Sequence, residues 1–285
     1  MRKKQSSLTA AGIAIVRAVE SERPADERIL YDPYACQFVP PWMFRAFGFF
    51  IKIGYAEWRG PGVNGFLVAR DRYIDDVLKS FLNEGLQQLV ILGAGYDSRA
   101  YRFNLAGRVK IFEIDHPATQ TDKMAKVRTV FGKTPEYVIY VPVDFDNQIL
   151  EGRLMESGYD PNLKTLFIWQ GVTMYLTAET VDATLAFAVH HSGPGSAIVF
   201  DYVYRSVLEG AQKHSEISGM RHYRFMTGEG LTFGIPEGAI KTFLKERGFQ
   251  QIVDVNVDYL KATYFTGKNA GRAVAGGYGI VIGKI

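Results

Sequence analysis

The sequence predicts an α/β fold: a mostly parallel sheet covered by helices on both faces, with a helical cap at the N-terminal end. Three observations carry this reading. From Leu89 onward, short runs rich in Val and Ile alternate with helix-patterned stretches, as they do where a parallel sheet is buried on both sides. Before about Phe81 no buried strand is evident, and the pattern is helical or punctuated by Pro and Gly. The chain has 285 residues, 47% apolar and 22% charged, enough for one large domain with an appendage and an ordinary globular core.

The cap is expected over residues 1–80 and the core over 81–285. Residues 9–21 carry a helical pattern. Segments bearing Trp42, Phe44, Phe47, Phe49, Phe50, Tyr55 and Trp58 follow, and then a helical stretch with Phe66, Tyr73, Val77 and Phe81 roughly on one face. In the core, strands are expected at 89–92, 109–114, 137–141, 165–169 and 197–203, with helices at 117–130, 148–157 and 177–191. Thr177 suits the N-cap of the last of these helices. A helix is expected from Pro236, burying Ile240, Phe243 and Leu244 and stopping at Gly248. Two strands, 251–259 and 279–282, should then follow with no helix between them.

Composition also limits the function classes. The net charge of +3 arises from intermixed acids and bases, and the only basic run is Arg2-Lys3-Lys4, so a nucleic-acid partner is not expected. Cys36 is the only cysteine, which fits a reducing compartment and rules out an internal disulfide. The apolar stretch after Lys4 is interrupted by Arg17, Glu20, Glu22 and Arg23 and lacks a small-residue cleavage site, so it reads as an amphipathic helix rather than a secretory signal. The stretch near Phe47 to Ile53 is broken by Lys52 and falls far short of the ~20 residues that span a bilayer. A cytoplasmic protein without a membrane or metal partner is the expectation.

The sharpest local feature is the run Leu89-Val-Ile-Leu-Gly93-Ala94-Gly95, an apolar strand entering a Gly-x-Gly turn. Glycines there let the backbone turn tightly and approach a ligand without an intervening side chain. Asp115 ends the next strand about 20 residues on, where ribose-binding folds place a carboxylate for the sugar hydroxyls. Its alternative is the N-cap of a helix starting at Pro117. A dinucleotide would call for a third glycine where Ser98 stands, so a phosphate nest is not prepared. Asp144 and Phe145, after the third strand, offer a carboxylate and a ring for an adenine, or else a simple turn.

The blocks Thr9-Ala-Ala, Arg17-Ala-Val-Glu20-Ser, Tyr31-Asp-Pro-Tyr-Ala35, Arg70-Asp-Arg-Tyr-Ile-Asp-Asp76, Leu92-Gly-Ala-Gly-Tyr-Asp-Ser-Arg99, Phe112-Glu-Ile-Asp-His-Pro117 and Gln170-Gly-Val-Thr-Met-Tyr-Leu176 occur in this order. Together they resemble the leucine carboxyl methyltransferase-like family. The resemblance implies a Rossmann-like class I methyltransferase core whose last two strands form an antiparallel pair. It further implies S-adenosylmethionine as cofactor, with Gly93, Ala94 and Gly95 at its back, ribose on Asp115 and the base near Asp144 and Phe145. Arg70 matches the arginine for the cofactor's carboxylate, a group a guanidinium can grip with two parallel hydrogen bonds. Gln170 departs from the family, in which many members carry Glu before Gly-Val.

Methyl transfer from a sulfonium needs alignment and water exclusion more than a base. The acceptor expected from the resemblance is a carboxylate of a small molecule, oriented by Tyr175, Arg221 or Arg224. The two arginines lie in a long connection, 202–233, that reads as a lid. A hydroxyl, a protein C-terminus or RNA are alternative acceptors. A non-catalytic cofactor-binding protein and a nicotinamide-dependent oxidoreductase are alternative functions. Residues 1–80 are expected to close over the cofactor and to form part of the acceptor pocket.

Overall fold

A 21-residue helix, α4 (Val63–Asn83), links the cap to the sheet by burying residues of both in one continuous apolar cluster. The computed structural model describes residues 8–144, 148, 150–210 and 230–285. Within the cap, α1 (Leu8–Ser21) fits its expected span, and the aromatic segments form two further helices, α2 (Pro41–Lys52) and α3 (Tyr55–Arg59). Pro40 and Pro41 open α2 and left-handed Gly54 separates it from α3, so the Pro and Gly that read as punctuation mark helix ends. Phe66, Tyr73, Val77 and Phe81 are all buried, and they share a cluster with Leu89 and Ile91 of the sheet.

Seven strands form the sheet: β1 (Gln88–Leu92), β2 (Lys110–Asp115), β3 (Val138–Pro142), β4 (Thr165–Trp169), β5 (Ala197–Val203), β6 (Gln251–Val255) and β7 (Tyr278–Lys284). Their order is β3-β2-β1-β4-β5-β7-β6, parallel through β5 and antiparallel at β7. The chain starts at β1, winds outward to β3 and returns to β4, so the order reverses between β1 and β4. Crevices for ligands open at that switch point, outside the carboxyl ends of the strands. Every residue of β1, β4 and β5 is buried, which explains why they are mostly apolar.

Helices α5 (Arg99–Arg102), α6 (Pro117–Phe131), α7 (Leu150–Glu156), α8 (Ala178–His190) and α9 (Arg205–Leu208) connect these strands. Thr177 caps α8 as expected, its side chain accepting from the Thr180 N–H.

Two expectations at the C-terminal end are corrected. The helix α10 spans Ile240–Lys245 rather than starting at Pro236, because Pro236 to Gly238 make a turn with Gly238 at φ 79°; Phe243 is only half-buried. The strand expected over 251–259 stops at Val255, and a helix, α11 (Val257–Tyr264), lies between the last two strands. Asn256 ends the strand by capping that helix, accepting from the Tyr259 N–H at 3.0 Å, while Leu260 goes into the core. Among the described residues no helix is long and apolar enough to cross a membrane, and no cluster of His, Cys, Asp and Glu could hold a metal.

Candidate active site

Four sequence-predicted positions lie side by side along the carboxyl edge of the sheet. Gly93, Ala94 and Gly95 follow β1, Asp115 ends β2, Asp144 follows β3 and Gln170 follows β4. The Ala94 N–H donates to the Ile114 carbonyl and the Val143 N–H to the Asp115 carbonyl, which fixes these loops to one another. Gly93 sits at φ 64°, and a Cβ there would fall 2.3 Å from Val172 Cγ2 after β4. The tight turn therefore requires glycine on two counts. From the cap, Ala10 of α1 approaches Gly95, and Ile13 approaches Gly171.

Asp115 is no helix cap: His116 caps α6 instead, through its Nδ1. The Asp115 carboxylate accepts from the Gly95 and His116 backbone N–H groups. Burial pushes its pKa upward, against the pull of those two donors. It stands where the turn and β2 meet.

Arg70 reaches this edge from α4 and is only 2% exposed. Its Nη1 donates to Asp201 Oδ2 at 2.6 Å, while Asp201 Oδ1 accepts from the Gly171 N–H at 2.6 Å. Burial would lower the basicity of Arg70, but Asp201 and Asp71 outweigh it and keep the guanidinium charged. Arg70 Nε and Nη2 are buried with no hydrogen-bond partner. Gln170 donates from Nε2 to Asp71 Oδ2 at 2.9 Å, and its Oε1 is also buried and unpartnered. Buried polar atoms without hydrogen bonds are expensive, so the unbonded donors of Arg70 and the unbonded acceptor of Gln170, two side chains that share Asp71 Oδ2, could hold a group with both a carboxylate and an ammonium.

Asp71 and Asp201 were missed by sequence reasoning. Asp201 was legible as a carboxylate inside an apolar strand, which must be paired where it is buried. Asp71 was masked by its charged neighbours Arg72, Asp75 and Asp76, of which Arg72 and Asp76 pair at 3.0 Å near the surface while Asp71 and Asp75 are buried. Ser98, where a dinucleotide fold would have glycine, donates to Asp32 Oδ2 at 2.7 Å and accepts from Arg102 Nε at 3.0 Å.

Tyr175 lies half-buried in the 3-10 turn Thr173–Tyr175 just after Gln170 and Gly171. Phe145, Arg221 and Arg224 fall outside the described residues, as does most of the expected lid at 202–233. A family model described as leucine carboxyl methyltransferase matches residues 10–189. The chain belongs to that family.

Two relatives extend the comparison. The candidate S-adenosyl-L-methionine-dependent methyltransferase YktD of Bacillus subtilis is 30% identical over 202 residues, 70% of this chain and 66% of that one. A like-named protein of Frankia alni is 33% identical over 202 residues, 68% of each chain. The matched region thus spans about two thirds of the length of each relative. Among solved structures, a candidate methyltransferase from Thermobifida fusca has a similar fold, with a TM-score of 0.58 at 13% identity over 99% of this chain and 96% of that one. The architecture of this leucine carboxyl methyltransferase family member is accordingly the Rossmann-like class I fold.

Proposed function

We propose that the chain is an S-adenosylmethionine-dependent methyltransferase that O-methylates a carboxylate of a small molecule. The observation that carries the cofactor assignment is a set of buried atoms without hydrogen bonds, Arg70 Nε and Nη2 and Gln170 Oε1, on two side chains that both reach Asp71 at the switch point of the sheet. The residues fit the group. Arg70 receives the cofactor's carboxylate, Gln170 Oε1 accepts from its ammonium, the turn at Gly93, Ala94 and Gly95 packs against its back, Asp115 accepts from the ribose hydroxyls, and Asp144 with Phe145 borders the base. The glycine turn with Ser98 in place of a third glycine favours this ligand over a nicotinamide dinucleotide.

When bound, S-adenosylmethionine supplies a methyl group on a positively charged sulfur, already activated for in-line displacement. The protein's share is alignment and exclusion of water. Ala10 and Ile13 of α1 close the cap side of the glycine turn and of Gly171. A carboxylate acceptor titrates near pH ~4 and is ionised at neutral pH, so no side chain has to remove a proton. Tyr175, Arg221 and Arg224 are the candidates to orient it. Residues 1–80 act in this reading as the cap, and residues 202–233 as the lid.

The test has two parts. Calorimetric titration is expected to show binding of S-adenosylmethionine and its demethylated product in preference to nicotinamide dinucleotides; tighter dinucleotide binding would overturn the cofactor. Transfer of radiolabelled methyl to a panel of acceptors is expected to give a base-labile ester. Stable label on nitrogen or carbon would overturn the carboxylate, and cofactor binding without transfer to any acceptor class would overturn the enzyme.

A further inference from the structure

Of the described residues, α2 and α3 carry most of the large apolar side chains left in water: Trp42 is 67% exposed, Trp58 73%, Phe49 58% and Ile53 57%, with Phe47, Phe50 and Tyr55 also exposed. The rings form a continuous row, with centroids 6.0 Å apart for Phe49 and Phe50, 5.5 Å for Phe50 and Tyr55, and 5.8 Å for Tyr55 and Trp58. Helix α2 is apolar nearly all round. Met43, Phe44 and Ile51 pack onto the cap, and Gly48 lets α2 approach Val19 of α1. Its opposite stripe, Trp42, Arg45 and Phe49, continued by Ile53 just past the helix end, faces water. A helix apolar on all sides belongs in a protein core or at a membrane, and contiguous exposed patches of this kind mark interaction sites.

Charge selects the occupant. Residues 40–56 contain Arg45 and Lys52 and no acid. Arg59 adds a third cation, 5.8 Å from the Trp58 ring centroid. Of the nearest acids, Glu57 accepts from the Gly62 N–H at 2.5 Å and Glu22 pairs with Lys52 at 2.5 Å, which leaves exposed Arg45 as the cation within the stripe. Trp, Tyr and Phe rings with flanking Arg and Lys make up the composition of helices that lie in the headgroup layer of a bilayer. Anionic headgroups complement both the Arg45 charge and the rings. We infer that the α2–α3 face docks on the surface of an anionic lipid bilayer, a contact along the membrane and not a passage through it.

The chain carries its own probe, because Trp42 and Trp58 lie in the patch and the third tryptophan, Trp169, is fully buried. With the full chain and vesicles of phosphatidylcholine alone or mixed with phosphatidylglycerol, the expected result is sedimentation with the anionic vesicles, weakened by salt. Tryptophan emission should shift to the blue and be quenched by brominated acyl chains. Phe49→Ser/Phe50→Ser should weaken binding at least about tenfold, because two ring insertions are lost, and Arg45→Glu about fivefold or more. Far-UV circular dichroism checks that these surface variants remain folded. Absence of binding to anionic vesicles would overturn the inference, as would binding that ignores lipid charge and both variants. A dimer in solution that shields Trp42 and Trp58 from acrylamide would overturn it in favour of self-association.

Discussion

At the scale of single residues, the proposed cofactor cradle is built by carboxylates that hold other groups in place. Asp71, 1% exposed, faces Arg99 Nη2 at 3.4 Å, Arg70 Nη2 at 3.7 Å and Arg17 Nη1 at 3.9 Å, and it also accepts from Gln170. Gln170 therefore borrows a negative neighbour that a glutamate would bring itself. Glutamate at 170 in this chain would set two carboxylates 2.9 Å apart where Gln170 now donates. Gln170→Glu alone is expected to weaken S-adenosylmethionine binding, and Asp71→Asn/Gln170→Glu to recover it, with a coupling of about 1–3 kcal/mol in a calorimetric double-mutant cycle. Additive effects would show that the two positions do not share a charge. Asp115→Ala should weaken binding by about 1–3 kcal/mol, the usual loss when a buried hydrogen-bond partner goes. An unchanged dissociation constant in the folded variant would leave Asp115 as a brace for Gly95 only.

At the scale of elements, β2 and α6 enclose an ion pair inside the core, with Lys123 Nζ 2.8 Å from Glu113 Oε2 and both side chains 1% exposed. Burial pushes the Glu113 pKa up to about 7, despite Lys123 and a hydrogen bond from Tyr101. The folded chain then holds this proton more tightly than the unfolded one. The stability Glu113 contributes is present in full below about 4.5 and lost as pH rises through about 7. Replacing both partners, Glu113→Gln/Lys123→Met, avoids leaving a lone buried charge. Urea unfolding across that window should show the parent losing ground to the double variant by a few kcal/mol as pH rises. A constant difference would mean that Glu113 is ionised throughout.

The same elements show what the sequence reveals and what it hides. Strands β1, β4 and β5 were legible because burial on both faces leaves a mostly apolar run, and the glycine turn was legible because only glycine fits beside Val172. The end of β6 at Asn256 was not, because Val257, Tyr259 and Leu260 suit a strand as well as a helix and only the cap decides. Arg70 and Gln170 were named from the family resemblance, and Asp115 from its place at the end of the strand after the glycine turn. Asp201, Asp71 and Asp32 act by holding other groups across 131, 99 and 66 positions of chain, a separation that no local pattern encodes.

For the whole molecule, the question is whether cap and core melt separately. Their seam is a buried charge network: Arg17 Nε donates to Asp32 Oδ2 at 3.0 Å and its Nη2 to the Tyr96 carbonyl at 2.5 Å, so one α1 side chain ties the segment after it to the glycine turn. Arg99 donates to Asp75 of α4 at 2.8 Å and also pairs with Asp97, while both nitrogens of the Arg102 fork reach Asp75 at 2.5 Å. Around these ions the apolar cluster runs without a break from Ile15 through Ile74 to Ile91. No seam residue can leave without stranding a charge in a dry interior, which costs about 3–5 kcal/mol. Cap and core are therefore expected to unfold as one unit. In Trp169→Phe the remaining tryptophans report on the cap, and in Trp42→Phe/Trp58→Phe the remaining one reports on the core. Denaturant curves of the two should share one slope, and each should shift by the same amount when Arg17→Met is added. A cap transition that precedes the core, or an Arg17→Met shift confined to the cap signal, would show that the seam is a hinge and that the cap can open while the sheet stays folded.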